Sequence, residues 1–117
     1  MSGSPIDIAW HSTERGDVIA IGGELDLTNT QRLADALAAA SAPTVILDLG
    51  GLDFIDSAGI RTIDQMRRLL ASAGRTLLIV APQDSRAAWT FRVAGFDGDF
   101  VQPSVDSALL HGNGGAP

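Results

Sequence analysis

Apolar residues recur along this chain in two periods, and the switches between them lay out the elements. Ile6, Ile8 and Trp10 take alternate positions, and Val18-Ile19-Ala20-Ile21 follows the turn residues Gly16-Asp17. That pattern predicts a hairpin of two strands, with His11 in the connecting loop. The period then lengthens. Leu33, Leu37 and Ala40 are spaced as one stripe of a helix running from Thr28 or Asn29 to Ala40, and Pro43 blocks its continuation. Thr44 to Leu49 predicts a strand, and the unbroken run Val45-Ile46-Leu47 implies cover on both faces. Ile60, Ile63, Met66, Leu70 and Ala73 return to helical spacing from Ser57 onward, with Gly74 as a natural stop.

Thr76-Leu77-Leu78-Ile79-Val80-Ala81 predicts another buried strand, closed by Pro82, and a helix follows from Ser85 to Ala94 with Ala87, Phe91 and Ala94 as its core stripe. Phe100-Val101 predicts a short edge strand, and Ser104 to Leu110 a last short helix. Strands alternating with helices after an opening hairpin imply an α/β layer: a mixed sheet of four to five strands and about four helices. Neither an internal repeat nor a linker interrupts the pattern, so one domain over residues 5–110 is expected. A flexible segment 1–4 would precede it and a disordered tail 111–117 follow it.

Composition narrows the function classes. At 117 residues and 45% hydrophobic content the chain can build a single core unaided. It has no cysteine, which excludes disulfides, thiolate catalysis and cysteine-based zinc sites. A net charge of -6 argues against nucleic acid, whose binding rests on cationic contacts to phosphate. Met1 to Pro5 carries no basic or apolar run, and no apolar stretch is long enough to span a bilayer. A cytoplasmic protein without membrane contacts is the expectation.

Candidate chemistry gathers around residue 57. Asp48, Asp53 and Asp56 are expected near the carboxyl end of a central strand, the customary place for a site in an α/β sheet. A magnesium-dependent phospho-acceptor aspartate there would need a lysine to balance it, and all eight basic residues are arginine. Ser57 has no Gly-x-Ser-x-Gly elbow, and neither His11 nor His111 is placed by sequence to act as its base. No Gly-x-x-x-x-Gly-Lys loop is present to hold nucleotide phosphates. The chain therefore reads as no enzyme and as needing no cofactor. Asp56 and Ser57 are both helix-starting residue types, either of which could cap the helix, and Gly59 would let a neighbouring backbone approach. Such a helix start tolerates an added phosphate, so Ser57 reads as a substrate for another protein's chemistry.

The run Asp56-Ser57-Ala58-Gly59-Ile60 after Val45-Ile46-Leu47-Asp48-Leu49, together with Gly23-Glu24-Leu25-Asp26 some thirty positions earlier, resembles the STAS-domain anti-anti-sigma factors. Element order agrees from about Pro5 to Leu110. The resemblance implies a STAS-like fold and places the family's phosphorylated serine on Ser57. Ala58 stands where the family's motif has a second serine, a departure that spares the acceptor. It further implies a partner, an anti-sigma factor with serine-kinase activity, that this chain binds when Ser57 is unphosphorylated, thereby releasing a sigma factor. Phosphorylation would end binding and a serine phosphatase would restore it. The partner-binding face would comprise Gly23, Glu24 and Asp26 with Asp56, Ala58, Gly59 and Arg61. Gly23 suits a backbone near a contact surface, and Arg61 lies one helical turn beyond Ser57. STAS modules also serve as scaffold subunits in stress-sensing assemblies or on the ATPase of lipid transporters, which is the alternative role.

Trp89 has two readings. It lies off the core stripe of its helix, with Arg86, Arg92 and Val93, so its ring either folds over a neighbouring element or anchors a partner, as Trp beside Arg does at interface hot spots.

Overall fold

In the computed structural model, which describes residues 3–95 and 101–114 and side chains as far as Leu110, the elements run β1 (Ile6–Thr13), β2 (Gly16–Leu25), α1 (Thr30–Ala39), β3 (Thr44–Ile55), α2 (Ser57–Ser72), β4 (Thr76–Val80), α3 (Arg86–Val93), β5 (Val101–Gln102) and α4 (Val105–Gly114). The strands form one sheet in the order β1-β2-β3-β4-β5. β1 pairs antiparallel with β2, and each later neighbour pairs parallel. This is the mixed α/β sheet with an N-terminal hairpin and four helices that the apolar periods predict.

Alternation along β3 divides the core. Val45, Leu47 and Leu49 face a large cluster that includes Leu33 and Leu37 of α1, Ile63 of α2 and Phe91 of α3. Ile46 faces the other side, where Val18, Leu78 and Val80 meet Ala108 of α4. Val45, Ile46 and Leu47 are all fully buried, so the strand is covered on both faces as its composition requires.

Several boundaries differ from expectation, each for a local reason. β3 does not end at Leu49 but runs on to Ile55. Its buried positions beyond Leu49 are Leu52 and Ile55, three apart, because the pairing with β2 slips between Ala20 and Gly22 and again between Gly23 and Glu24. Such bulges hide a strand from a search for period two. Asp48 consequently sits mid-strand, eight residues before Asp56, a separation of roughly 25 Å along extended chain, and the three aspartates do not crowd one end.

His11 lies within β1 opposite Val18, not in a loop. The hairpin turn is confined to Glu14 and Arg15, where the Thr13 hydroxyl donates to the Gly16 carbonyl at 2.8 Å and accepts from the Arg15 amide at 3.1 Å. At the N-terminus Ser4 is tied down: its amide donates to Thr28 Oγ1 and its carbonyl accepts from Asn29. At the other end α4 continues to Gly114, four residues into the expected tail, since extending an anchored helix is far less costly than nucleating one. Phe100 of the expected edge strand, Met1, Ser2 and 115–117 lie outside the described residues. Ala94 is exposed and not part of the α3 core stripe, whose buried members are Ala87, Ala88 and Phe91.

Candidate functional site

Two chain segments converge because β2 and β3 are parallel neighbours that end in register. Leu25 pairs with Ile55 at the last rung of the ladder, so the loop after β2 and the start of α2 leave the sheet side by side. One further bond joins them: the Asp56 amide donates to the Leu25 carbonyl at 3.2 Å.

At the start of α2 Asp56 is the cap, its Oδ1 accepting from the Gly59 amide at 2.9 Å. Ser57 is therefore the first helical residue and is relieved of capping. It is exposed, and among the described residues its hydroxyl has no hydrogen-bond partner. Ala58 is half-buried beside it. Gly59 is needed for side-chain packing, not for approach of a backbone: a Cβ there would lie 2.9 Å from Leu25 Cγ and 3.0 Å from Ile55 Cγ1. The two segments are thus locked together under Ser57 by apolar contact.

The loop after β2 is braced by polar bonds. Asp26 Oδ1 accepts from the Thr28 amide at 2.9 Å and from the Thr28 hydroxyl at 2.6 Å, while its Oδ2 accepts from the Ser4 hydroxyl. The Ser4 hydroxyl foremost, then the Thr28 hydroxyl and amide, hold the Asp26 carboxyl below the usual carboxylate range. Asn29 is buried beneath the loop. Its Nδ2 donates to the carbonyls of Glu24 at 2.8 Å and Ser4 at 3.0 Å, and its Oδ1 accepts from the Asp26 amide at 3.1 Å. Gly23 takes φ +89°, and a Cβ there would come within 2.5 Å of the Pro5 carbonyl oxygen. Its glycine requirement comes from the chain's own N-terminal segment. Glu24 is exposed, its amide donating to that same carbonyl at 2.9 Å.

On the outer side of α2, Ser57, Ile60, Arg61 and Asp64 share a hollow of about 220 Å³ with Ala94 from the end of α3. Arg61 is exposed and, among the described residues, has neither ion pair nor hydrogen bond. Asp64 is taken by Arg67 at 2.9 Å and Arg68 at 3.1 Å. Trp89 is 54% exposed, which excludes a ring folded away over a neighbour. It lines a separate hollow with Asp84, Ser85 and Arg86, so the structure does not bring it together with the residues around Ser57.

Sequence reasoning missed Ser4 and Asn29, the braces of the loop, and the apolar rim that Leu27 and Phe54 present to solvent. Asn29 carried a signal, as a helix-starting residue type, but it forms no side-chain cap and spends its amide on the loop. Phe54 was hidden by the bulged register that sets it opposite Glu24. Among the described residues no group of three or more His, Asp or Glu is placed to hold a metal ion, and no helix is long and apolar enough to cross a membrane.

Comparison with known proteins bears on this arrangement. A model of the STAS domain matches residues 10–108. An anti-sigma F factor antagonist of Lysinibacillus sphaericus is 35% identical over 83 residues, covering 67% of this chain and 71% of the relative. The crystal structure of an anti-sigma factor antagonist from Mycobacterium paratuberculosis superposes with a TM-score of 0.82 at 22% identity, over 97% of this chain and 99% of the other. The anti-sigma factor antagonist SpoIIAA in its unphosphorylated form superposes with a TM-score of 0.69 at 20% identity, over 92% and 97%.

Proposed function

The chain belongs to the STAS domain family, and on that premise we propose that it is an anti-sigma factor antagonist switched by phosphorylation of Ser57. The unmodified protein binds an anti-sigma factor that is also a serine kinase, and so frees a sigma factor. The kinase brings ATP and magnesium; this chain contributes the acceptor hydroxyl and no catalytic group. The reading places it in the cytoplasm, where a serine phosphatase resets the switch.

One observation carries the reading. Asp56 caps α2, so the Ser57 hydroxyl is left exposed and, among the described residues, unbonded at the junction of two segments, α2 and the braced loop Gly23–Asp26. Residues of both, Glu24, Asp26, Ala58 and Arg61 among them, surround it as a docking face, with Gly23 and Gly59 shaping the backbone below. Trp89, exposed on α3, is a second and separate anchor for the same partner. A phosphate on Ser57 adds a charge of about -1.5 to -2 at the centre of that face. In a docked, water-poor interface an unmatched dianion costs several kcal/mol, and each 1.4 kcal/mol is tenfold in affinity. A weakening of roughly a hundredfold or more corresponds to two such factors of ten.

Incubation with ATP-magnesium and the cognate anti-sigma kinase, then phosphopeptide mapping and titration calorimetry, tests this. One phosphate on Ser57 and loss of kinase binding are expected. Dominant modification of Ser12, Ser41 or Ser72, or an unmodified protein that fails to bind, would sink it.

A further inference from the structure

Among the described residues, Arg61 is a cation without a partner in a place where the fold had one to offer. Side chains three and four positions apart on a helix are neighbours, about 5–6 Å between Cβ atoms, so Arg61 has Ser57 on one side and Asp64 on the other. The Asp64 carboxylate is bound by two other guanidinium groups, Arg67 at 2.9 Å and Arg68 at 3.1 Å, and is mostly buried. Arg15 and Arg86 are also exposed, but neither lines the hollow at Ser57. Arg61 alone among the arginines shares that hollow with the serine, and Ile60 and Ala94 supply its apolar floor.

The geometry points to Arg61 as the intramolecular receptor of the phosphate on Ser57. Resting on the phosphoserine switch proposed above, it names how the modified state is held. The guanidinium is a planar two-pronged donor that matches phosphate oxygens. Among the described residues, the carboxylates near the phosphate are Asp56, committed to the Gly59 amide, Asp64, committed to its two arginines, and Glu24 and Asp26 of the adjoining loop. All four repel the dianion, and Arg61 is the cation that offsets them. The phosphate is thereby kept dianionic and turned along α2 toward the hollow.

The test installs phosphoserine at position 57 of the full chain by genetic encoding, so that it does not depend on any kinase. Phosphorus NMR then tracks the phosphate through its second ionisation in the wild type, Arg61→Gln and Arg61→Lys. Arg61→Gln should raise that midpoint by about 0.2–0.7 unit, the size of an exposed ion pair. Arg61→Lys, which keeps the charge but loses the fork, should fall between the two. The Arg61 side-chain NH resonance should shift on phosphorylation, and the midpoint difference should shrink with salt. Coincident midpoints in wild type and Arg61→Gln, with an unmoved Arg61 resonance, overturn the assignment. Failure of the kinase to modify Ser57 would overturn the switch itself and leave this measurement unaffected.

Discussion

The two halves of β3 obey different rules. From Thr44 to Leu49 the four apolar residues Val45, Ile46, Leu47 and Leu49 all serve the core: their side chains divide between the α1–α2–α3 face and the α4 face, and the strand is paired on both edges. From Gly50 to Ile55 only Leu52 and Ile55 are buried, β4 has already ended, and the register with β2 is bulged. The first half makes the domain stable. The second half aims Ser57 and the Gly23–Asp26 loop at the same patch of solvent, and it can do so because its pairing is irregular. Bulges bend a strand and re-aim the residues beyond the bend, which is why they recur beside sites.

The strongest way to break that contrast is to cut the core half. Leu47→Ala should lower global stability by about 2–5 kcal/mol, the range for a large buried aliphatic cut to a methyl. Denaturant unfolding would show a reduced midpoint, with partner binding retained under native conditions. A loss of binding without loss of stability would mean that the two halves are not separable in this way.

Gly59→Val attacks the other half. Its branched side chain would collide with Leu25 and Ile55, at a cost of roughly 1–3 kcal/mol for overpacking. The relief available is movement of the loop away from α2, so affinity for the anti-sigma factor should fall more than stability accounts for. Amide exchange localised to residues 24–29 and 56–60 would show it; uniform loss of protection would place the damage in the core instead.

Ser57→Ala should be nearly silent in stability, within about 0.5 kcal/mol, because the cap is Asp56 and the exposed hydroxyl makes no bond among the described residues. The variant should bind the kinase and never be released. Ser57→Asp should weaken binding only in part, since one carboxylate has about half the charge of a phosphate. Asp56→Ala, by contrast, should cost about 0.5–2 kcal/mol, the usual worth of a side-chain cap.

The smallest effect is a loosening of the loop by acid. The Asp26 carboxyl titrates below its ordinary range in the folded protein, so its bonds to Ser4 and Thr28 add stability above the ordinary aspartate pKa. That stability is lost as pH falls through the depressed value. Carboxyl NMR should find the Asp26 midpoint low in the wild type and raised toward the ordinary value by Ser4→Ala. An unchanged midpoint in that variant would remove the N-terminal segment from the bracing of the loop.

Most of the architecture was legible in the chain itself. The apolar periods of Leu33-Leu37, Val45–Leu49, Ile60–Leu70 and Leu77–Val80 identify the elements because each buries a face whose spacing follows from its own geometry. The helix start at Asp56-Ser57 was legible too, through its residue types, while Ser57 as the proposed acceptor came from the resemblance of Asp56–Ile60 to the family motif. Three things were not. The sequence allowed either Asp56 or Ser57 as the cap, and only the bond from Gly59 to Asp56 settled it, since both side chains can reach the same amides. Ser4 and Asn29 could not be known as braces, because their partners lie more than twenty positions away or depend on how β2 ends. The course of Gly50–Ile55 was hidden because a bulge is a property of two paired strands, and no single strand records it. Local periodicity thus determined which segments are helix or strand and where the serine sits. Register, and the joint packing of Gly59 against Leu25 and Ile55, arise from contacts between segments, and only the tertiary structure decided them.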